Sequence, residues 1–277
     1  MTSGSIVVEI DLQKWKRDGF YVLPSFYSHA EIDEVVAAQD RTWNESHPRI
    51  VVDDNRTGER NYLSDVDKAQ SNNWYKVNDL YLELPVVRHI GLNSRISPIL
   101  EKLLGDVPVM CNSLSFERGS GQPDHIDALY MTPQTQGHLI AIWVALEDCH
   151  ADAGPLRYWP GSNAIPPYQF SNGSNHVVDE EMPEWNRYMA EQTSERKLSP
   201  VTFAARKGDV FIWSAYLFHG GSAIKDPART RKSIVFHYYS QYDCERNGWP
   251  TRREGGAGWL YRQHATVNGV AGAFPPE

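Results

Sequence analysis

Cysteine is scarce in this 277-residue chain: Cys111, Cys149 and Cys244 are three in number and far apart. That spacing excludes a disulfide-stapled scaffold and points to a reducing, cytoplasmic compartment. No apolar run approaches the roughly 20 residues of a membrane span, and Met1 to Ser5 lack the basic start and apolar core of a secretory signal. Positive charge is also in deficit, with 27 Lys and Arg against 35 Asp and Glu, a formal net charge of -8 and a pI near 5.7. Nucleic acid and anionic membranes are therefore not expected as partners, which leaves a small-molecule substrate; the oligomeric state is open. Linkers, internal repeats and low-complexity tracts are missing as well. One domain over residues 1–277 is expected, long enough to bury a substantial core.

What is present divides unevenly along the chain. Asp11 to Asp18 reads as a short helix, Gly19 to Pro24 as a strand, and Ser28 with Glu31 as a capping box opening a helix towards Trp43. Asn93 or Ser94 is placed to cap another helix, closed by Gly105. Afterwards the apolar segments are short and β-rich: Val107 to Phe116, His138 to Leu146, Leu156 to Trp159, Val210 to Trp213 and Ile234 to Tyr239. The pattern predicts a mainly β fold with flanking helices, a double-stranded β-helix of jelly-roll or cupin-like form. Its helix-rich part covers about 1–105, its β core about 106–242 and a C-terminal extension about 243–277. The polar stretch from Asn163 to Lys197 is too long for an ordinary connection and reads as a lid or a partly helical insertion. After Cys244, a segment with Arg246, Trp249, Arg252 and Arg253 is read as covering the pocket or forming an interface.

The chemistry is carried by His125-Ile126-Asp127, followed by His219 and then Arg231. In a strand successive side chains alternate faces, so His125 and Asp127 at the start of a strand after a Gly119-to-Pro123 hairpin turn point the same way and can grip one ion. With His219 from a distant strand they form a 2-His-1-carboxylate triad, which leaves metal positions open and suits iron(II). A second triplet, His150-Ala151-Asp152, lies among turn formers, where alternation is not expected. His138, His150 and His237 read as hydrogen-bonded structural residues. Tyr130, Gln134, Arg157 and Tyr158 are candidates to face a substrate, and Trp74, Tyr75 and Tyr81 beside Lys76 read as packing rather than a cation cage.

These residues together resemble the phytanoyl-CoA dioxygenase family of iron(II)- and 2-oxoglutarate-dependent oxygenases. The likeness runs in order through Gly19-Phe20-Tyr21-Val22-Leu23, Lys76-Val77-Asn78-Asp79, His125-Ile126-Asp127, Trp143, Gly154-Pro155-Leu156, Pro160-Gly161-Ser162-Asn163, His219-Gly220-Gly221-Ser222 and Arg231-Lys232-Ser233-Ile234. It departs at Asn163, where the family has histidine, and at the extra residue before Ser222. The resemblance implies iron(II) on His125, Asp127 and His219, with 2-oxoglutarate and dioxygen as cosubstrates. Arg231 would anchor the far carboxylate of 2-oxoglutarate through its planar fork of donors. Lys76, Trp143, Ser222 and Leu114 are further candidates to contact that cosubstrate.

Hydroxylation of an unactivated C–H bond in a small organic molecule is the activity implied, with succinate and carbon dioxide released. An amino acid, a natural-product intermediate, a phosphonate and an acyl thioester are all compatible substrates. Asp127 disfavours halogenation, which needs a small residue there. A cupin metalloenzyme that uses no 2-oxoglutarate and a catalytically silent jelly-roll binding module are the alternatives.

Overall fold

The computed structural model describes residues 9–67 and 75–276. The helices are α1 (Leu12–Asp18), α2 (His29–Asn44), α3 (Leu80–Glu83), α4 (Pro85–Leu92), α5 (Ser97–Leu104), α6 (Met182–Glu195) and α7 (Gln241–Arg246). The strands are β1 (Phe20–Leu23), β2 (Val51–Asp54), β3 (Arg60–Tyr62), β4 (Tyr75–Asn78), β5 (Pro108–Phe116), β6 (Leu139–Ala145) and β7 (Leu156–Tyr158). They continue with β8 (Val201–Phe203), β9 (Val210–Ser214), β10 (His219–Gly221), β11 (Ser233–Ser240), β12 (Thr251–Glu254) and β13 (Ala257–Leu260).

Local signals account for several boundaries. Asp11 caps α1 by accepting from the N–H groups of Gln13 and Lys14, and Gly19 ends the helix in the left-handed region. Ser28 and Glu31 form the expected reciprocal capping box on α2. Near α5 the expectation shifts: Ile96 is the capping position, and Asn93 instead accepts from the N–H groups of Arg95 and Ile96 in the preceding turn. The segment expected to be helix-rich also supplies β1 to β4 to the main sheet.

That sheet runs β1-β9-β6-β11-β5-β4-β2-β3, with the β12–β13 hairpin attached through a parallel pairing of β13 to β5. The smaller sheet has the order β10-β7-β8, and together the two sheets make the jelly roll. Strands β6 and β11 are buried along their whole length because both faces are covered. On one face Ile140, Ile142, Val144, Ile212, Phe236 and Tyr238 pack with Ile32, Val35, Val87, Ile90 and Leu100 of the helices. The opposite, alternate residues, including Trp143, Trp213, Leu114, Phe116, Val235 and His237, line a cavity between the sheets. The insertion between β7 and β8 holds α6, whose Trp185 and Met189 are buried in a second cluster with Ile126, Ala128 and Leu129.

The C-terminal extension is strapped onto the domain. His264 and Arg49 both bond the buried Glu83 carboxylate of α3, and Arg262 reaches Asp79 at 2.8 Å. Burial alone would raise the Glu83 carboxyl, but these two partners hold it at about 2, against an ordinary 4.5. Stability from Glu83 is therefore complete above pH 4.5 and is lost as pH falls towards 2. In denaturation series over this window, Glu83→Gln should cost on the order of 2–3 kcal/mol near neutrality and flatten the acid slope. An unchanged slope would show that the strap does not depend on this charge.

Candidate metal centre and its cavity

His125, Asp127 and His219 come together with one ligand atom from each lying within 4.8 Å of the others. Asp127 Oδ1 is 3.6 Å from His125 Nε2 and 3.7 Å from His219 Nε2. The segment carrying the first two is not the expected hairpin strand. The chain leaves β5 and crosses to the other sheet, where His125 forms an isolated antiparallel bridge with His219. Asp127 then opens a 3₁₀ turn through Leu129, its carbonyl accepting from Tyr130 and Met131. Ile126 is extended, with φ -120° and ψ 142°, which leaves its two neighbours on the same side.

Each donor is oriented by a second contact. The Nδ1 atoms of His125 and His219 lie 2.9 Å from the carbonyls of Pro123 and Leu217, which fixes the proton on Nδ1 and leaves Nε2 as the free lone pair. Trp213 Nε1 donates to Asp127 Oδ2 at 2.7 Å, so Oδ1 is the oxygen left for an ion. Burial pushes the His219 imidazole down to about 4, which keeps it neutral and able to ligate. Two neutral imidazoles and one carboxylate gathered on one side fit iron(II) with positions left open.

The cavity beside this triad has a volume of about 510 Å³. Arg231 lies in its wall and is 3% exposed. Its Nη1 donates to the Gly154 carbonyl, its Nε has no partner, and it pairs with no carboxylate among the described residues. Burial lowers this guanidinium to about 10, so it remains a cation at neutral pH. Trp143 stands 5.7 Å below it, and the indole Nε1 is likewise buried without a partner. Arg229, by contrast, is paired with Asp226 at the surface.

The other sequence candidates divide. Lys76 and Leu114 line the cavity, Lys76 in an ion pair with Asp53 at 2.9 Å that Arg60 shares. Tyr130 lines it too, about half exposed at the opening. Ser222 is not in the wall; its N–H bonds Pro155 beyond the end of β10, because the extra glycine moves it past the metal end. Gly220 and Gly221 earn that place by close approach, since a Cβ on them would sit 2.4 Å from Asp124 Oδ1 and 2.9 Å from the Gly121 nitrogen.

Gln134, Arg157 and Tyr158 are not brought to the cavity wall. Gln134 is bonded to Asn247, Arg157 is paired with Asp124 at 2.6 Å, and Tyr158 is packed between Phe20 and Phe211. His150 and Asp152 are exposed in their turn. Tyr75 and Tyr81 are buried as packing residues, and Trp74 lies outside the described residues. Residues in the wall that the sequence did not single out are Trp213, Asn112, Gln122 and Arg60, together with His237, which had been read as structural. The period-2 pattern of β9 and β11 was visible, but not which face meets the cavity.

The sequence profile of the phytanoyl-CoA dioxygenase (PhyH) family matches residues 15–233. The chain belongs to this family. Phytanoyl-CoA dioxygenase domain-containing protein 1 homologs from Caenorhabditis briggsae and Caenorhabditis elegans are each 22% identical over 182 residues, 54% of this chain. The match spans 63% of the length of those relatives. Among solved structures, EctD from S. alaskensis with bound Fe superposes with a TM-score of 0.63 at 18% identity, covering 88% of this chain and 80% of that one. The non-haem alpha-ketoglutarate-dependent carbocyclase SnoK from nogalamycin biosynthesis gives 0.62 at 16% identity, covering 92% and 90%. These likenesses show a shared fold.

Two substitutions test the centre as a family metal site. His219→Ala should abolish tight binding of iron(II), measured anaerobically. Trp213→Phe, which removes only the donor to Asp127, should weaken it about 10- to 100-fold. Unchanged affinity in Trp213→Phe would show that Asp127 needs no such support.

Proposed function

We propose that the protein is an iron(II)- and 2-oxoglutarate-dependent oxygenase that hydroxylates an unactivated C–H bond of a small organic molecule. Arg231 carries this reading: a buried cation with no carboxylate partner among the described residues, opening onto the cavity that holds the triad. Burying a charge without a counter-ion is costly, so such a site is one that an anionic ligand completes. A dicarboxylate that binds a metal at one end and the arginine fork at the other answers both needs. Family membership supports the same assignment.

In this reading His125, Asp127 and His219 hold iron, Trp213 fixes the Asp127 carboxylate, and Arg231 fixes the distal carboxylate of 2-oxoglutarate. Bound iron with 2-oxoglutarate and dioxygen supplies the oxidation, in which decarboxylation to succinate and carbon dioxide is coupled to insertion of one oxygen atom into a C–H bond. Trp143 supplies an indole N–H and a flat wall beneath the guanidinium, while Leu114, Phe116, Leu156 and Val235 keep this end of the cavity apolar. Low polarity there strengthens the charge-assisted pair and limits competition from water.

The cavity volume falls within the range of about 300–1,000 Å³ typical of small-molecule sites, and the cosubstrate must share it. That favours an amino acid, a phosphonate or a compact natural-product intermediate; an acyl thioester would keep its carrier outside. A related fold in EctD has been solved with 2-oxoglutarate and 5-hydroxyectoine, a ligand pair of this scale. Three cysteines without disulfide partners fit the cytoplasm as the compartment. No helix among the described residues is long and apolar enough to cross a membrane.

The test is anaerobic addition of iron(II) and then 2-oxoglutarate to metal-free protein, read by the weak visible charge-transfer band of the chelate. Wild type should develop the band, and Arg231→Gln should need roughly 10- to 100-fold more 2-oxoglutarate to reach it. Bound iron without a band would favour a cupin enzyme using no 2-oxoglutarate. Failure to bind iron would favour a silent binding module.

A further inference from the structure

Gln122 is held at the edge of the metal centre by its backbone. Its carbonyl accepts from the Gly221 N–H at 2.9 Å, and its own N–H donates to Ser120 Oγ at 3.3 Å. Pro123 follows and disfavours a helical backbone at Gln122. Asp124 is then pinned by Arg157 at 2.6 Å, and His125 by the bridge to His219. So close a seat needs glycine on the facing strand. A Cβ on Gly220 would come 3.0 Å from the Gln122 carbonyl oxygen, and one on Gly221 would come 3.2 Å from the Gln122 nitrogen. The glycine pair that carries Ser222 past the metal end is thus what admits Gln122 to it.

From this fixed point the side chain reaches the cavity wall, exposed at the opening, with its Nε2 3.3 Å from His125 Nε2. Chemistry decides which way the amide faces. His125 keeps its proton on Nδ1, towards the Pro123 carbonyl, so its Nε2 can only accept. The Gln122 atom beside it is therefore the amide nitrogen. An ion on that lone pair takes the acceptor away and leaves an N–H donor at the open side of the ion. Water, carboxylates and other anions that fill such open positions are all acceptors.

We propose that Gln122 is the donor that steadies an exogenous ligand in an open position of the metal centre. The proposal rests on the reading of His125, Asp127 and His219 as metal ligands. Arg231 and Trp143 serve the far end of the cavity, and the Trp213 indole N–H is spent on Asp127. A neutral amide favours negative charge on the ligand that it meets without setting a further cation against the ion. Binding through Oε1 instead would make Gln122 a fourth protein ligand and use up one of the open positions. The two roles therefore leave different marks on the ion itself.

The test uses the full-length protein loaded with cobalt(II), whose visible d–d bands report its ligands, with sodium azide titrated in as the anionic probe. Gln122→Leu removes the amide at similar size. Gln134→Leu makes the same change outside the cavity wall, where the amide is bonded to Asn247. Gln122→Leu should bind cobalt with wild-type affinity and bands, yet need roughly 3- to 10-fold more azide. Gln134→Leu should match wild type in both readouts. Equal azide affinity in wild type and Gln122→Leu overturns the proposal, as do a like loss in Gln134→Leu and a cobalt-loaded wild type that takes up no azide. Weaker cobalt binding or shifted bands in Gln122→Leu before azide is added would make the residue a ligand of the ion, which overturns it too. Gln122 is exposed, so its replacement leaves the packed core untouched. If wild type binds no cobalt, the metal-centre reading fails, and the proposal fails with it.

Discussion

A carboxylate buried among apolar strands must have its charge answered, and most of the arrangement around Asp127 follows from that requirement. Trp213 on β9 answers one oxygen with a hydrogen bond, while the Nε2 lone pairs of His125 and His219 face the other from the opposite sheet, an arrangement that a cation between them would complete. Each comes from a different stretch of chain, so the site exists only when both sheets are assembled. The bridge between His125 and His219 ties the two imidazole donors by paired backbone hydrogen bonds of 2.8 and 2.9 Å. A backbone tie of this kind holds the donor spacing more rigidly than side-chain packing alone.

The opposite end of the cavity is built on an imbalance. Arg231 Nε and Trp143 Nε1 are both buried without partners, and each unanswered donor of this kind costs about 1–3 kcal/mol, more where the group is charged. Strands β11 and β6 pair along their whole length and are covered by helices on the far face, so the sheet can carry that local cost. The protein is acidic overall, at a net charge of -8, yet Arg231, Lys76 and Arg60 all line this cavity. Lys76 and Arg60 share the Asp53 carboxylate, so in the proposed reading Arg231 is the cation left for an anionic ligand in this cavity.

What the sequence made legible was chiefly what is local. The capping box at Ser28, the strand segments and the grouping of the triad were readable because a cap or an alternating pattern is written in adjacent residues. The resemblance carried Arg231 and Trp143, which no spacing rule would have joined. Strand register was not legible. Trp213 meets Asp127 because β9 pairs with β6 so that Trp213 lies opposite Ala141, and a one-residue slip would have sent the indole to the helix side. His237 is hydrogen-bonded as expected, to Asn112, but its place in the cavity wall also depends on register, beside a bulge at Cys111 that apolar patterning does not announce. Arg157 and Tyr158 fall outside the cavity wall: Arg157 is held by Asp124, and Tyr158, although opposite His219 in the β10–β7 ladder, is taken up by the Phe20–Phe211 cluster.

The two ends of the cavity are also made from different materials. Trp143, Trp213, Val235, His237 and Arg231 lie on or beside the central strands β6, β9 and β11. Ser120, Gln122, Tyr130 and Met131 come from the connection between β5 and β6, and Arg60 from the edge strand β3. Central strands are fixed on two sides by ladders, whereas connections and edges can change sequence without disturbing a core. In the proposed reading, holding the cosubstrate falls to the first group, iron to His125 and Asp127 of the connection with His219 of β10, and choice of substrate to the rest of the second. Gln122 lies at the junction, its amide nitrogen 3.3 Å from His125 Nε2, the nitrogen that would face an ion. Once that lone pair is committed to a metal, the Gln122 amide must seek another partner on the open side of the site. The residue is thus placed where the fixed half of the cavity meets the half free to diverge.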